Sequence, residues 1–273
     1  MTRSVCRTRR SRRSLRVSGA GAAALLALSA CSSSSGSDSG SSSSSSAKVS
    51  GQVTVFAAAS LKESFTTLGE RFEKQHPGTE VTFNFAGSDT LAASVTGGAP
   101  ADVFASASPG TMATVTDAGA TDGAPSTFVR NQLEIATLPG NPDRISSLKD
   151  LTGSGLKVVL CDKSVPCGAA AQKALEAGGL RLTPVSYEQD VKAALTKVEL
   201  KEADAAVVYK TDVKAAGGKV TGVDFAESAK AVNDYPIALL KEAPNADAGK
   251  AFIELVKSAE GQRVLTAAGF RTP

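Results

Sequence analysis

From residue 51 onward the chain alternates between short β-rich runs and runs of helical period, with a turn at each change. That alternation excludes an all-helical bundle and an all-β sandwich and predicts an α/β fold with mostly parallel strands. Val53–Ala57 reads as the first strand. Leu61, Phe65, Leu68 and Phe72 then recur at helical spacing and define one apolar face. Ser60 is positioned as the N-cap of that helix, with Glu63 completing a capping box, and His76-Pro77-Gly78 ends it. Strands are predicted over 80–85, 101–105, 132–137, 156–160, 205–209 and 235–240. Further helices are predicted around Leu91 and Val95, over 169–176, near 190–198, and over 248–258 and 260–268. About 220 residues in this pattern suit two lobes with a cleft between them.

The first 50 residues follow different rules. Seven Arg and no acidic residue lie within 1–30, followed by an apolar run, Val17–Ala30, of 14 residues. A membrane-spanning helix needs about 20 residues, so this reads as an export signal over 1–30. The run ends in Leu28-Ser29-Ala30-Cys31, which resembles the bacterial lipobox, where cleavage precedes a Cys that receives a lipid. Ser11-Arg12-Arg13 resembles a twin-arginine signal, but Leu15-Arg16 departs from the usual apolar pair, so the export route stays open. Ser32–Ser46 holds 12 Ser, 2 Gly and 1 Asp, too little apolar surface to offset chain entropy, which makes 31–50 a lipidated, Ser-rich linker. The expected location is the outer face of the cytoplasmic membrane, held by lipid at Cys31.

Composition narrows the chemistry. Without the signal's arginines the chain carries 23 basic against 27 acidic residues, so the formal charge of +3 gives no footing for nucleic-acid binding. Aromatic residues make up 5% with no Trp, which argues against an aromatic binding platform. His76 is the one His, which argues against multi-His metal sites. Its place before Pro77-Gly78 suits an exposed helix end. Cys161 and Cys167 remain after processing and, in an exported protein, read as a small disulfide loop, with two free thiols as the alternative.

At Ala59-Ser60, Gly87-Ser88, Pro166-Cys167-Gly168 and Asp190-Val191 a turn enters a predicted helix. Helix N-termini expose unpaired N–H groups and carry partial positive charge. Several around one cleft would bind an anion without Lys or Arg, although every α/β protein has such termini and Ser is a favoured cap.

Three segments in order, Val55–Leu61 (VFAAASL), Phe85–Leu91 (FAGSDTL) and Gly98–Phe104 (GAPADVF), resemble the periplasmic molybdate-binding proteins of ABC importers. Weaker matches follow at Val165–Gly168, Asp190–Leu195, Val207–Tyr209, Tyr235–Ala238 and Gly269-Phe270, so the resemblance covers about 51–271. It implies a two-lobed type II periplasmic-binding-protein fold and no catalysis. Lobe 1 would comprise 51–129 and 234–273, and lobe 2 130–233, hinged near Val129–Gln132 and Asn233–Tyr235. It also implies a ligand set: Ser60 and Ser88 by hydroxyl and N–H, Cys167 and Val191 by backbone N–H, and Tyr209 by its phenol. Cys167 stands where the family usually has Ala, which a backbone donor tolerates and which sets the disulfide beside the ligand. Asp102 is expected to make a structural hydrogen bond near the cleft.

The implied ligand is molybdate or tungstate, with no cofactor, and the partner is a membrane permease served by a monomeric receptor. Both oxyanions are fully deprotonated near neutral pH and need donors only, whereas hydrogen phosphate retains a proton and needs an acceptor. Sulfate must be excluded by size. Two other readings stand: a receptor for another oxyanion or for ferric ion, drawing on Tyr187, Tyr209 and Tyr235, and an exported serine hydrolase using Ser60 or Ser88. The hydrolase lacks both a placed base and a Gly-x-Ser-x-Gly turn.

Overall fold

The computed structural model describes residues 49–273. The signal, Cys31 and the linker through residue 48 lie outside the described residues. Along the chain run β1 (Gly51–Ala58), α1 (Lys62–Gln75), β2 (Thr79–Ala86), α2 (Ser88–Thr96), β3 (Val103–Ala105), α3 (Pro109–Asp117), β4 (Ser126–Asn131) and β5 (Leu133–Thr137). Then come β6 (Val158–Cys161), α4 (Pro166–Ala177), β7 (Ser186–Glu188), α5 (Val191–Glu199), β8 (Ala205–Tyr209) and α6 (Lys210–Ala216). The chain closes with β9 (Thr221–Val223), β10 (Asn233–Leu239), α7 (Ala246–Lys257) and α8 (Ala259–Ala267).

Two five-stranded mixed sheets result, ordered β2-β1-β3-β10-β4 and β7-β6-β8-β5-β9. In the first, β1 pairs in parallel with β2 and β3, while β10 runs antiparallel to β3 and β4. In the second, β6 pairs in parallel with β7 and β8, while β5 runs antiparallel to β8 and β9. The chain leaves the first sheet between Asn131 and Leu133 and returns between β9 and β10.

The sequence periodicity accounts for the layers. Phe65, Leu68 and Phe72 of α1 are buried with Val53, Val55, Phe128 and Phe252 on one face of the first sheet. Phe56 and Phe104 point to the opposite face, against Leu91, Val95, Met112 and Val115 of α2 and α3. Each large apolar side chain so buried contributes roughly 1.5–3 kcal/mol. The second sheet has its own core, built from Leu133, Ile135, Val159, Val207 and the apolar faces of α4 and α5.

Ser60 does not cap α1. Ala59–Leu61 forms a 3-10 turn, α1 begins after Leu61 with no side-chain cap, and the Ser60 hydroxyl faces Tyr235 instead. Asp102 is a buried bracket: it accepts from the N–H of Thr54 at 2.7 Å and of Asn245 at 2.6 Å, tying β1 to the start of α7.

Candidate functional site

The parallel half of each sheet sends its carboxyl ends toward one place. Ser60 follows β1, Ser88 follows β2 and Ala107 follows β3; Cys167 follows β6, Val191 follows β7 and Tyr209 ends β8. All six line a single small cavity, so the five expected ligand residues are brought together from both sheets. Ligand sites of α/β proteins lie at such strand ends. The cavity offers about 20 Å³ to the centre of a water-sized sphere, equivalent to a compact body about 3 Å in radius.

The polar character of the lining comes from the helix starts. α2 begins after Gly87 and α4 after Val165, and neither has a side-chain cap, like the turn before α1. α5 is capped by Asp190, whose Oδ1 accepts from the N–H of Lys192 at 2.8 Å and of Ala193 at 3.0 Å but not from Val191. N–H groups in a first helical turn have no partner within the helix and converge here with the positive ends of the helix dipoles. Among the described residues no Lys or Arg lines the cavity. Among the described lining residues Asp190 is the one carboxylate, and it is engaged by its own helix.

In α4, Pro166 occupies the first helical position, where its missing N–H costs nothing. Cys167 is disulfide-bonded to Cys161 at the end of β6, with Cα atoms 5.8 Å apart. Gly168 makes this tight return possible, since a Cβ there would overlap the carbonyl oxygen of Asp162.

A second layer, not anticipated from the sequence, backs the cavity. The Tyr235 hydroxyl lies 2.8 Å from Ser60 Oγ and accepts from Asn131 Nδ2 at 3.3 Å. Asn233 Nδ2 donates to the Tyr209 hydroxyl and to the Ala107 carbonyl, each at 2.8 Å. The Ala107 N–H donates to Ser88 Oγ at 3.0 Å. Burial holds the Tyr209 and Tyr235 phenols well above their usual pKa, so both stay protonated.

Lys192 Nζ is 2.8 Å from Glu63 in α1 and 3.2 Å from the buried Asp212 in α6, a charged bridge from one sheet's helix to the other's. Burial raises Asp212 to about 6, against the pull of Lys192. Burial alone would lower Lys192, but Asp212 and Glu63 outweigh it and leave its pKa raised. Asn131 and Asn233 do sit at the two inter-sheet crossings, the only signal that could have flagged them. Tyr187 is exposed on β7 and stands apart from Tyr209 and Tyr235, and among the described residues no cluster of three or more His, Cys, Asp or Glu is placed to hold a metal ion.

Two mixed α/β sheets thus bring their strand ends and helix starts to one small cavity. Residues 53–271 match the family described as bacterial extracellular solute-binding protein, and the chain belongs to that family, whose members bind solutes and are not enzymes. The molybdate-binding protein ModA of Mycobacterium tuberculosis H37Rv is 45% identical over 221 residues, covering 81% of this chain and 85% of the relative. The Escherichia coli K12 ModA is 32% identical, covering 81% and 89%. The solved periplasmic molybdate-binding protein of Azotobacter vinelandii superposes with a TM-score of 0.72 at 20% identity, covering 81% of this chain and 99% of that one, a likeness of fold.

Proposed function

We propose that this protein is a lipid-anchored extracytoplasmic receptor that captures molybdate, takes tungstate as an equivalent guest, and delivers it to the permease of an ABC importer. The observation that carries this reading is the convergence of Ser60, Ser88, Cys167, Val191 and Tyr209 on one cavity without a cation. A dianion stripped of water needs its hydration replaced, and hydrogen bonds to a charged acceptor are worth about 1.5–3 kcal/mol each. Hydroxyls and helix N-termini supply them from fixed positions. The two ModA relatives support molybdate as the particular guest.

In this reading, lobe 1 (51–129 and 234–273) carries Ser60 and Ser88, and lobe 2 (130–233) carries Cys167, Val191 and Tyr209. A ligand touching both favours the closed form by its differential contacts. The monomeric body is tethered through Cys31 and the Ser-rich linker. A thermal-shift panel tests the ligand, because binding only the native state raises the melting temperature. Molybdate and tungstate should shift it by similar amounts, with sulfate, phosphate and Fe³⁺ far behind. A larger shift with Fe³⁺, or none with molybdate, would refute the reading.

A further inference from the structure

The three hydroxyls at the cavity share a feature that lining residues alone do not reveal: each can be traced to a donor behind it. For Ser88 that donor is the Ala107 N–H, which can only donate. For Tyr209 it is Asn233 Nδ2, whose orientation is fixed because the same nitrogen faces the Ala107 carbonyl, which can only accept. For Ser60 it is the Tyr235 hydroxyl. Asn131 is oriented by the Gln132 N–H, which donates to its Oδ1 at 3.0 Å, so its Nδ2 is turned toward Thr211 Oγ1 and the Tyr235 oxygen. Tyr235 thus accepts from Asn131, which frees its own proton for Ser60 Oγ, 2.8 Å away, in a contact that either hydroxyl could donate.

Resting on the molybdate reading above, we infer that Asn131 with Tyr235, Asn233, and the Ala107 N–H are a specificity layer: they lock all three hydroxyl protons toward the cavity and so select oxyanions that carry no proton. A hydroxyl has one proton and two lone pairs. With a lone pair already taken from behind by a donor, its proton is left for the guest. A hydroxyl that used its second lone pair to accept from a protonated guest would leave its own proton without an acceptor behind it, because the group there is itself donating. Hydrogen phosphate is therefore refused by the positioning residues as well as by the lack of an acceptor at the surface of the site. Sulfate, which has no proton either, is not told apart from molybdate by this layer and must be sorted by size.

Asn131→Asp tests the lock. The carboxylate is nearly isosteric, can still accept from Gln132 N–H and can take a proton from Thr211. It accepts from Tyr235 rather than donating, so Ser60 turns its proton to Tyr235 and offers a lone pair to the cavity. Calorimetric titrations of the full chain with molybdate, sulfate and phosphate are made at about pH 8, where hydrogen phosphate is a dianion like the other two and plain charge repulsion cancels in ratios. Molybdate and sulfate should weaken together, on the order of ten- to a hundredfold. Hydrogen phosphate should weaken less or strengthen, narrowing the molybdate-to-phosphate ratio by about tenfold or more. Tyr235→Phe, which removes the donor to Ser60 while keeping the ring, should narrow the same ratio severalfold, and it decides the matter if Asn131→Asp does not fold. Unchanged ratios in folded variants, with phosphate falling in step with molybdate, would overturn the inference while leaving the receptor reading intact. Failure of the unaltered protein to bind molybdate would remove both.

Discussion

Ser60 and Ser88 are small, buried and unremarked by any charge, yet the proposed site depends on where their hydroxyls point. Replacing both with Ala should lower molybdate affinity at least a hundredfold, since each charge-assisted bond lost is worth roughly tenfold or more. The unliganded protein should remain folded, losing a few degrees of melting temperature because the Ala107 N–H and the Tyr235 hydroxyl lose their partners. Calorimetric titration beside a melting curve separates the two effects, and undiminished affinity would remove both serines from the site. What could be read from these residues in the sequence was their place in a turn before a helix. Their partners could not be read: Tyr235 is 175 positions from Ser60, and a helix-cap rule looks only a few residues ahead. That is why Ser60 reads as a cap in the sequence and faces a tyrosine in the fold.

The strands rich in Val, Ile and Leu, such as β6 and β8, and the helices with a clear apolar face, such as α1 and α5, lie close to where periodicity puts them. Those missed have physical reasons. β4 mixes Ser126, Thr127, Arg130 and Asn131 with its two buried apolar residues. β9 is three residues with a central Gly. α3 buries only Met112 and Val115, although Ser108 before Pro109 was a legible start, its side chain accepting from the Thr111 N–H. The start of α4 joins stability to binding. If Cys167 serves through its backbone, Cys161→Ala with Cys167→Ala should cost about 2 kcal/mol of stability, the entropy of opening so short a loop. Molybdate affinity should change by less than about tenfold, because Pro166 and Gly168 still set the helix start. Denaturant unfolding and titration of this double variant measure both; loss of binding without loss of stability would assign the role to the sulfurs.

Gly87 is a point of close approach between the two sheets around the cavity. Its φ of −57° is open to any residue, but a Cβ there would lie 2.5 Å from the Gln189 carbonyl oxygen just ahead of α5. The glycine serves approach rather than backbone conformation. Gly87→Ala should therefore hold the lobes apart, speeding molybdate release by about tenfold or more with little change in unliganded melting. Stopped-flow release kinetics check this, and an unchanged rate would mean that the contact is not part of closure. At this range the sequence offered the strand-end loops and, through family resemblance, the five cavity residues. It placed Asn131, Asn233 and Tyr235 only as part of an expected hinge, and did not offer their hydrogen bonds behind the cavity or the Glu63–Lys192–Asp212 bridge, which exist only once distant segments are packed together.

Co-crystals soaked in tungstate, with the heavy atom located by its anomalous scattering, ask the central question without intermediaries. One peak should appear, its oxygens within hydrogen-bond reach of the Ser60, Ser88 and Tyr209 hydroxyls and of the Cys167 and Val191 N–H groups. A peak coordinated by lysines elsewhere on the surface, or an empty cavity at saturating tungstate, would contradict the claim that uncharged donors from both sheets enclose a doubly charged guest.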